Sequence, residues 1–312
     1  MRWLLLLGFF AASAAHADCG VTPPVNKIFD YPRLLKAHAS FQNYEIRIFD
    51  SVSCEEPVFK DRSGLEILKG GQRVYGETGY GFAIGYPLDQ DQPPDTVKLR
   101  VGDDISGQGQ SELLVSTWSG GAHCCYSFEV ISLGDPLRKL QSIPLFDADE
   151  SAFVRRPGIK GLVLVTADYS DFAYFPTSFA GSPAGRVFLS FQDGRFRPDT
   201  SLMKAAAPKS GVTAKCAGLF RQSHEWKASQ PLGMWYYATD LIYTGHADEA
   251  WSFLDAAWGG SKADKDKYMG DYKQRLTKSV YYPDLMLLQK APLTDAGQKI
   301  DWERHCFDYM HG

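Results

Sequence analysis

VGDDISGQGQSELLVSTWSGGAHCCYSFEVISL, residues Val101 to Leu133, decides how this chain of 312 residues is read. A polar, glycine-rich loop runs into the strand-like segment Ser111–Thr117. Gly120 and Gly121 then supply turn backbone, and Tyr126–Leu133 returns rich in aromatic and β-branched residues. Two such runs around a Gly-Gly turn predict an antiparallel strand pair.

The same grammar extends outward. Leu65–Lys69, Gly70-Gly71 and Gln72–Tyr75 form one hairpin pattern. Arg186–Gln192, Asp193-Gly194 and Arg195–Arg197 form a stronger one, with Pro198 stopping the return strand. A first β-like segment lies between Cys19 and Cys54, and Leu162–Ala167 adds another run. SELLVSTWSGG near residue 111 and KGLVLVTADYS near residue 160 both pass from a strand into a polar turn, a loose repeat of about 50 residues that fits blade-like antiparallel sheets. Two or three units are too few to close an ordinary propeller, so stacked or sandwiched sheets are the alternative.

Within the opening stretch, Asp104, Ser106, Gln108, Gln110 and Glu112 place oxygen-bearing side chains at alternate positions, with glycines between. Calcium takes six to eight oxygens, and alternation can turn them toward one ion. Two carboxylates imply a weak site, on the order of millimolar. The other reading is a glycine-rich turn closed by its own hydrogen bonds.

The segment resembles the FG-GAP or VCBS-type repeat of integrin-like propellers. It is more similar still to a group of uncharacterised bacterial secreted proteins whose version ends in Gly-Gly-Ala-His-Cys-Cys, here Gly120 to Cys125. The resemblance is strong over about residues 101–133. It implies a blade-like scaffold and an acidic calcium loop in which Asp104 and Glu112 match the outer acids and Ser106 and Gln108 replace the middle ones. It implies no activity.

Near residue 200 the pattern changes. Lys204–Lys215 reads as a linker, and beyond it the apolar period becomes helical. Trp235, Ala238, Leu241 and Ile242 share one face; after Gly245, with Asp248 as cap, Ala250, Trp251, Leu254, Ala257 and Trp258 share another; a third helix fits Lys262–Ser279. The first two resemble a tetratricopeptide hairpin, with Gly245, Ala250 and Ala257 at its small positions. One such unit cannot bury its faces alone, which favours a helical pair packed on the β region. The fold expectation is therefore α+β: an antiparallel β domain over 18–203, a linker over 204–215, and a helical domain over 216–312.

Residues 1–17, MRWLLLLGFFAASAAHA, have the short basic start, apolar core and A-x-A end of a secretory signal. No other run is long and apolar enough to span a bilayer, and a net charge of −4 lacks the basic bias of a nucleic-acid binder. The expected location is periplasmic or extracellular. Six cysteines in an exported chain predict disulfides: Cys19 with Cys54, and Cys216 with Cys306. Cys124 and Cys125 are too close for a zinc pair. They close on each other as a strained staple, or on a regular strand they point apart and bridge to Cys216 and Cys306.

Catalytic signatures are scarce. No G-x-S-x-G, H-E-x-x-H or P-loop occurs, and Ser201-x-x-Lys204 lacks its downstream companion. The acids Asp147, Asp149 and Glu150 read first as a solvated turn. Trp118 and His123, with Tyr169, Phe172, Tyr174 and Phe175 in the comparable place of the second repeat, form the candidate binding edge; a small core anchoring the loop is the alternative. No motif demands a cofactor, and calcium is the one ion the loop could hold. These residues predict a non-enzymatic binding protein of the envelope, its partner a protein or a glycan. A hydrolase using His123 or the Asp147–Glu150 group, and a thiol–disulfide protein using the vicinal cysteines, are the rivals.

Overall fold

The computed structural model of the protein describes residues 33–51, 63–87, 93–121, 124–148, 150–227 and 229–311. Residues 1–17, read as a secretory signal, Cys19, Cys54, His123 and Asp149 lie outside the described residues, as does the side chain of Cys124.

Three four-stranded antiparallel sheets come first. The first contains β1 (Arg33–Phe41), β2 (Tyr44–Ser51), β3 (Ser63–Lys69) and β4 (Gln72–Gly79). The second contains β5 (Gly81–Ile84), β6 (Glu112–Gly121), β7 (Cys124–Ser132) and β8 (Arg138–Phe146). The third contains β9 (Ala152–Val154), β10 (Val163–Ala167), β11 (Arg186–Gln192) and β12 (Arg195–Pro198). Each sheet is filled by consecutive strands in sequence order, the blade-like pattern expected. Both hairpins turn where their glycines require: Gly70 and Gly71 have φ of 58° and 82°, and Asp193 and Gly194 have φ of 51° and 83°.

The sheets are stacked. Leu113, Val115, Ile131 and Leu133 of the second sheet and the connection after it pack with Tyr44, Ile46, Ile48, Leu65 and Ile67 of the first. Leu114, Phe128 and Val130 belong to a different core, shared with the third sheet, where the Phe128 and Phe153 rings stack at 5.9 Å. The run Glu112–Ser116 is therefore buried on both faces, which is why Leu113, Leu114 and Val115 within it are apolar in succession rather than in alternation.

Seven helices follow among the described residues: α1 (Thr200–Met203), α2 (Val212–Arg221), α3 (Leu232–Tyr243), α4 (Ala247–Ala257), α5 (Lys262–Lys278), α6 (Tyr282–Leu288) and α7 (Trp302–His311). The fold is α+β. The helix–Gly–helix unit is α3–α4, with Gly245 at φ 88° in the turn. Its cap position is corrected: His246 precedes α4, and Asp248 sits in the first turn, where its charge still complements the helix N-terminus. The pair is packed among its neighbours: Phe220 of α2 meets Phe253 of α4, and Tyr237 of α3 meets Trp302 of α7.

The stretch read as a linker is docked on the helices. Ala205 is buried, its N–H donates to Thr244 O at 3.2 Å, and Lys204 Nζ donates to Gly245 O at 2.9 Å. One core cluster runs from the second sheet through the third into the helices. Asp168, fully buried after β10, reinforces that continuity: it accepts from Tyr243 Oη at 2.5 Å, from Ser170 N at 3.0 Å, and from the hydroxyls of Ser170 and Ser279.

Candidate functional site

The glycine-rich loop is closed by the chain itself. Glu112 is fully buried, and its carboxylate accepts from Ser106 N at 2.8 Å and Ser106 Oγ at 2.5 Å. Burial pushes this carboxyl above its ordinary range, against the Ser106 hydrogen bonds that pull it down. Asp104 accepts from Gly109 N at 2.9 Å, Gln110 from Ser132 Oγ at 3.1 Å, and Gln108 is exposed. Gly107 has φ of 76°, and a Cβ there would lie 2.3 Å from Gly161 N. The loop thus locks the second sheet to the third through a backbone approach only glycine permits. Among the described residues no group of three or more His, Cys, Asp or Glu side chains is placed to hold a metal ion.

The aromatic edge divides. Phe172 and Phe175 are corrected to core residues: they are 0% and 1% exposed, and Phe175 packs on Trp235 at 4.9 Å. Aromatic rings inside a long loop anchored it to the helices, as the alternative reading held. Tyr174 is 57% exposed and Trp118 is 40% exposed; Trp118 Nε1 donates to Gly121 O at 3.0 Å. Among the described residues of this set, Tyr169 alone lines the cleft described next. His123 lies outside the described residues.

Cys216 and Cys306 are bridged, with Cα atoms 6.0 Å apart. The alternative that ran bridges from the vicinal pair to these two cysteines is thereby overturned. Cys125 is also disulfide-bonded, and no described cysteine is free.

The third sheet has one face on the core and the other on a cleft of about 820 Å³. The pleat decides which residues see it. Ala152 pairs with Val165, Val165 with Phe188, and Ala167 with Arg186, so these five side chains share the open face. Three of them are small or aliphatic, which leaves room. Arg156 leans over the Phe188 ring at 5.9 Å and reaches Asp95 at 3.3 Å.

The opposite wall is helical. Asp240 on α3 accepts from Tyr309 Oη at 2.6 Å, and His305 Nε2 lies 2.6 Å from the same oxygen. Burial and the Asp240 charge push the Tyr309 phenol far upward, so it stays protonated and donates. Two devices hold α7 in place. The Cys216–Cys306 bridge ties it to α2 beside His305, and Gly233 of α3 lets the chain pass so near that a Cβ there would lie 2.1 Å from Tyr309 O.

No family model matches this chain, and no curated protein or solved structure does either. The site therefore stands on its own geometry. Of the acids considered in the sequence, Glu150 lines the cleft. Arg156, Arg186, Asp240, His305 and Tyr309 were missed. One signal was present: Trp302, His305, Cys306 and Tyr309 fall at i, i+3, i+4 and i+7, a single helical stripe.

Proposed function

We propose that the protein is an exported, non-enzymatic binding protein of the bacterial cell envelope, taking its ligand in the cleft between the third sheet and the helices. The observation that carries this is the cleft itself. It has the volume of a small-molecule site, a floor of small side chains and a rigidly paired polar wall. The Cys216–Cys306 bridge supports an oxidising compartment, as does the signal-like start. Among the described residues no helix is long and apolar enough to cross a membrane.

The test is retention. The purified protein is incubated with periplasmic extract, peptidoglycan fragments and glycans, then examined by native mass spectrometry. A retained species that is lost when Val165→Trp fills the floor is the expected result. No retained species from any source would remove the proposal.

A second reading has one observation behind it. Asp240 and His305 form a hydrogen-bonded acid–imidazole pair inside the cleft, a unit able to activate a nucleophile. Among the described residues His305 has no hydroxyl or thiol partner, so a hydrolase here would have to activate water. Turnover of envelope polymers that disappears in His305→Gln would replace binding with catalysis.

A further inference from the structure

The cationic side chains around the cleft are less engaged by protein partners than the acidic ones. Asp240 is engaged by His305 and Tyr309. Asp95 is engaged by Arg156. The side chains of Arg186 and Lys299 line the cleft with neither a hydrogen bond nor an ion pair among the described residues, although the Arg186 charge is felt at the Tyr309 phenol, and Glu150 is the single acid whose side chain is in the same condition. Arg156 spends only Nη1, on Asp95 and on Arg155 O. Two whole cationic groups and part of a third therefore face the cavity, against one free carboxylate.

Their placement is as telling as their number. Arg186 stands in the floor row, paired across the ladder with Ala167, so its guanidinium rises beside a patch of small apolar side chains. Guanidinium forks hold planar or tetrahedral anions through parallel hydrogen bonds, and the low-polarity floor strengthens the attraction.

We infer that the cleft takes an anionic ligand, a carboxylate- or phosphate-bearing small molecule. The anion engages Arg186 and Lys299, and the apolar part lies on Val165 and Ala167. This deepens the binding reading and rests on it.

Matched probes decide the matter. Calorimetry compares N-acetylmuramic acid and N-acetylglucosamine 6-phosphate with neutral N-acetylglucosamine, at low salt and millimolar concentration. The charged sugars are expected to bind more tightly than the neutral one, and the preferred charged sugar tells carboxylate from phosphate. Arg186→Gln is expected to weaken that binding by roughly tenfold to a hundredfold; Arg186→Lys, which keeps charge but loses the fork, falls between. An unchanged thermal melt shows that the variants are folded. Equal binding of charged and neutral sugars, abolished by Val165→Trp, would overturn the anionic class and leave the cleft as a binding site. No binding of either charged sugar overturns the inference too, while the extract experiment judges the binding reading separately.

Discussion

Glu112 shows how one residue can look like chemistry and serve as structure. Its alternating neighbours have the pattern of a cation loop, yet it is buried at the start of β6 with Ser106 against both oxygens. Its carboxyl is raised by burial. The folded chain therefore holds this proton more tightly than the unfolded chain. Its contribution favours folding below the ordinary carboxylate range and is lost as pH rises through the raised value. In Glu112→Gln there is no proton to lose, and the amide offers Ser106 one acceptor and one donor. Between mildly acidic and neutral pH, the wild type should lose melting temperature relative to Glu112→Gln. Melts of both chains at stepped pH check this; parallel profiles would mean that the carboxyl titrates as in the unfolded chain.

Among the elements, α7 carries the most consequence for its size. It brings His305 and Tyr309 to Asp240, and its attachment is covalent. The Cys216–Cys306 bridge spans 90 residues of sequence, and closing a loop of that length in the unfolded chain is worth roughly 4–5 kcal/mol in the chain-entropy picture. Cys306→Ser should lower stability by roughly 2–5 kcal/mol, read as a fall in urea midpoint, and added reductant should lower the wild-type midpoint by more than the variant's, which has only its other bridged cysteines to lose. A midpoint indifferent to reductant would mean that packing alone seats the helix.

Elements also differ in how plainly they were written. The hairpins at Gly70-Gly71 and Asp193-Gly194 were legible because their turn chemistry is local. The helices α3, α4 and α5 were legible because their apolar period is long. The docking of Lys204–Lys215 was not, since small residues and a proline look the same in a free linker and in one held by Thr244 and Gly245. Nor was the cleft, whose walls come from segments as far apart as Asp95 and Tyr309. Only the stripe of Trp302, His305, Cys306 and Tyr309 hinted at one wall, and nothing in it named Asp240 as the partner.

At the scale of the molecule, the layers run first sheet, second sheet, third sheet, helices. Among the described residues the first sheet shares its core only with one face of the second, and that cluster is much the smaller of the two. Burial scales with stabilisation, so opening should be uneven. Hydrogen exchange under native conditions is expected to show weaker protection for amides of β2 and β3 than for those of β10 and β11. Equal protection would mean that the stack opens as one unit.

The third sheet has a consequence for divergence. Along β10, Leu164 points into the core while Val165 and Ala167 point into the cleft, and along β9 Phe153 alternates in the same way with Ala152. The pleat thus separates two inheritable traits on one strand. Changing the size of Val165 or Ala167 redraws the cleft, while Leu164 and Phe153, which lie in the core, are not themselves replaced. Descendants of this fold could reshape the cleft by single steps that leave Leu164 and Phe153 in place.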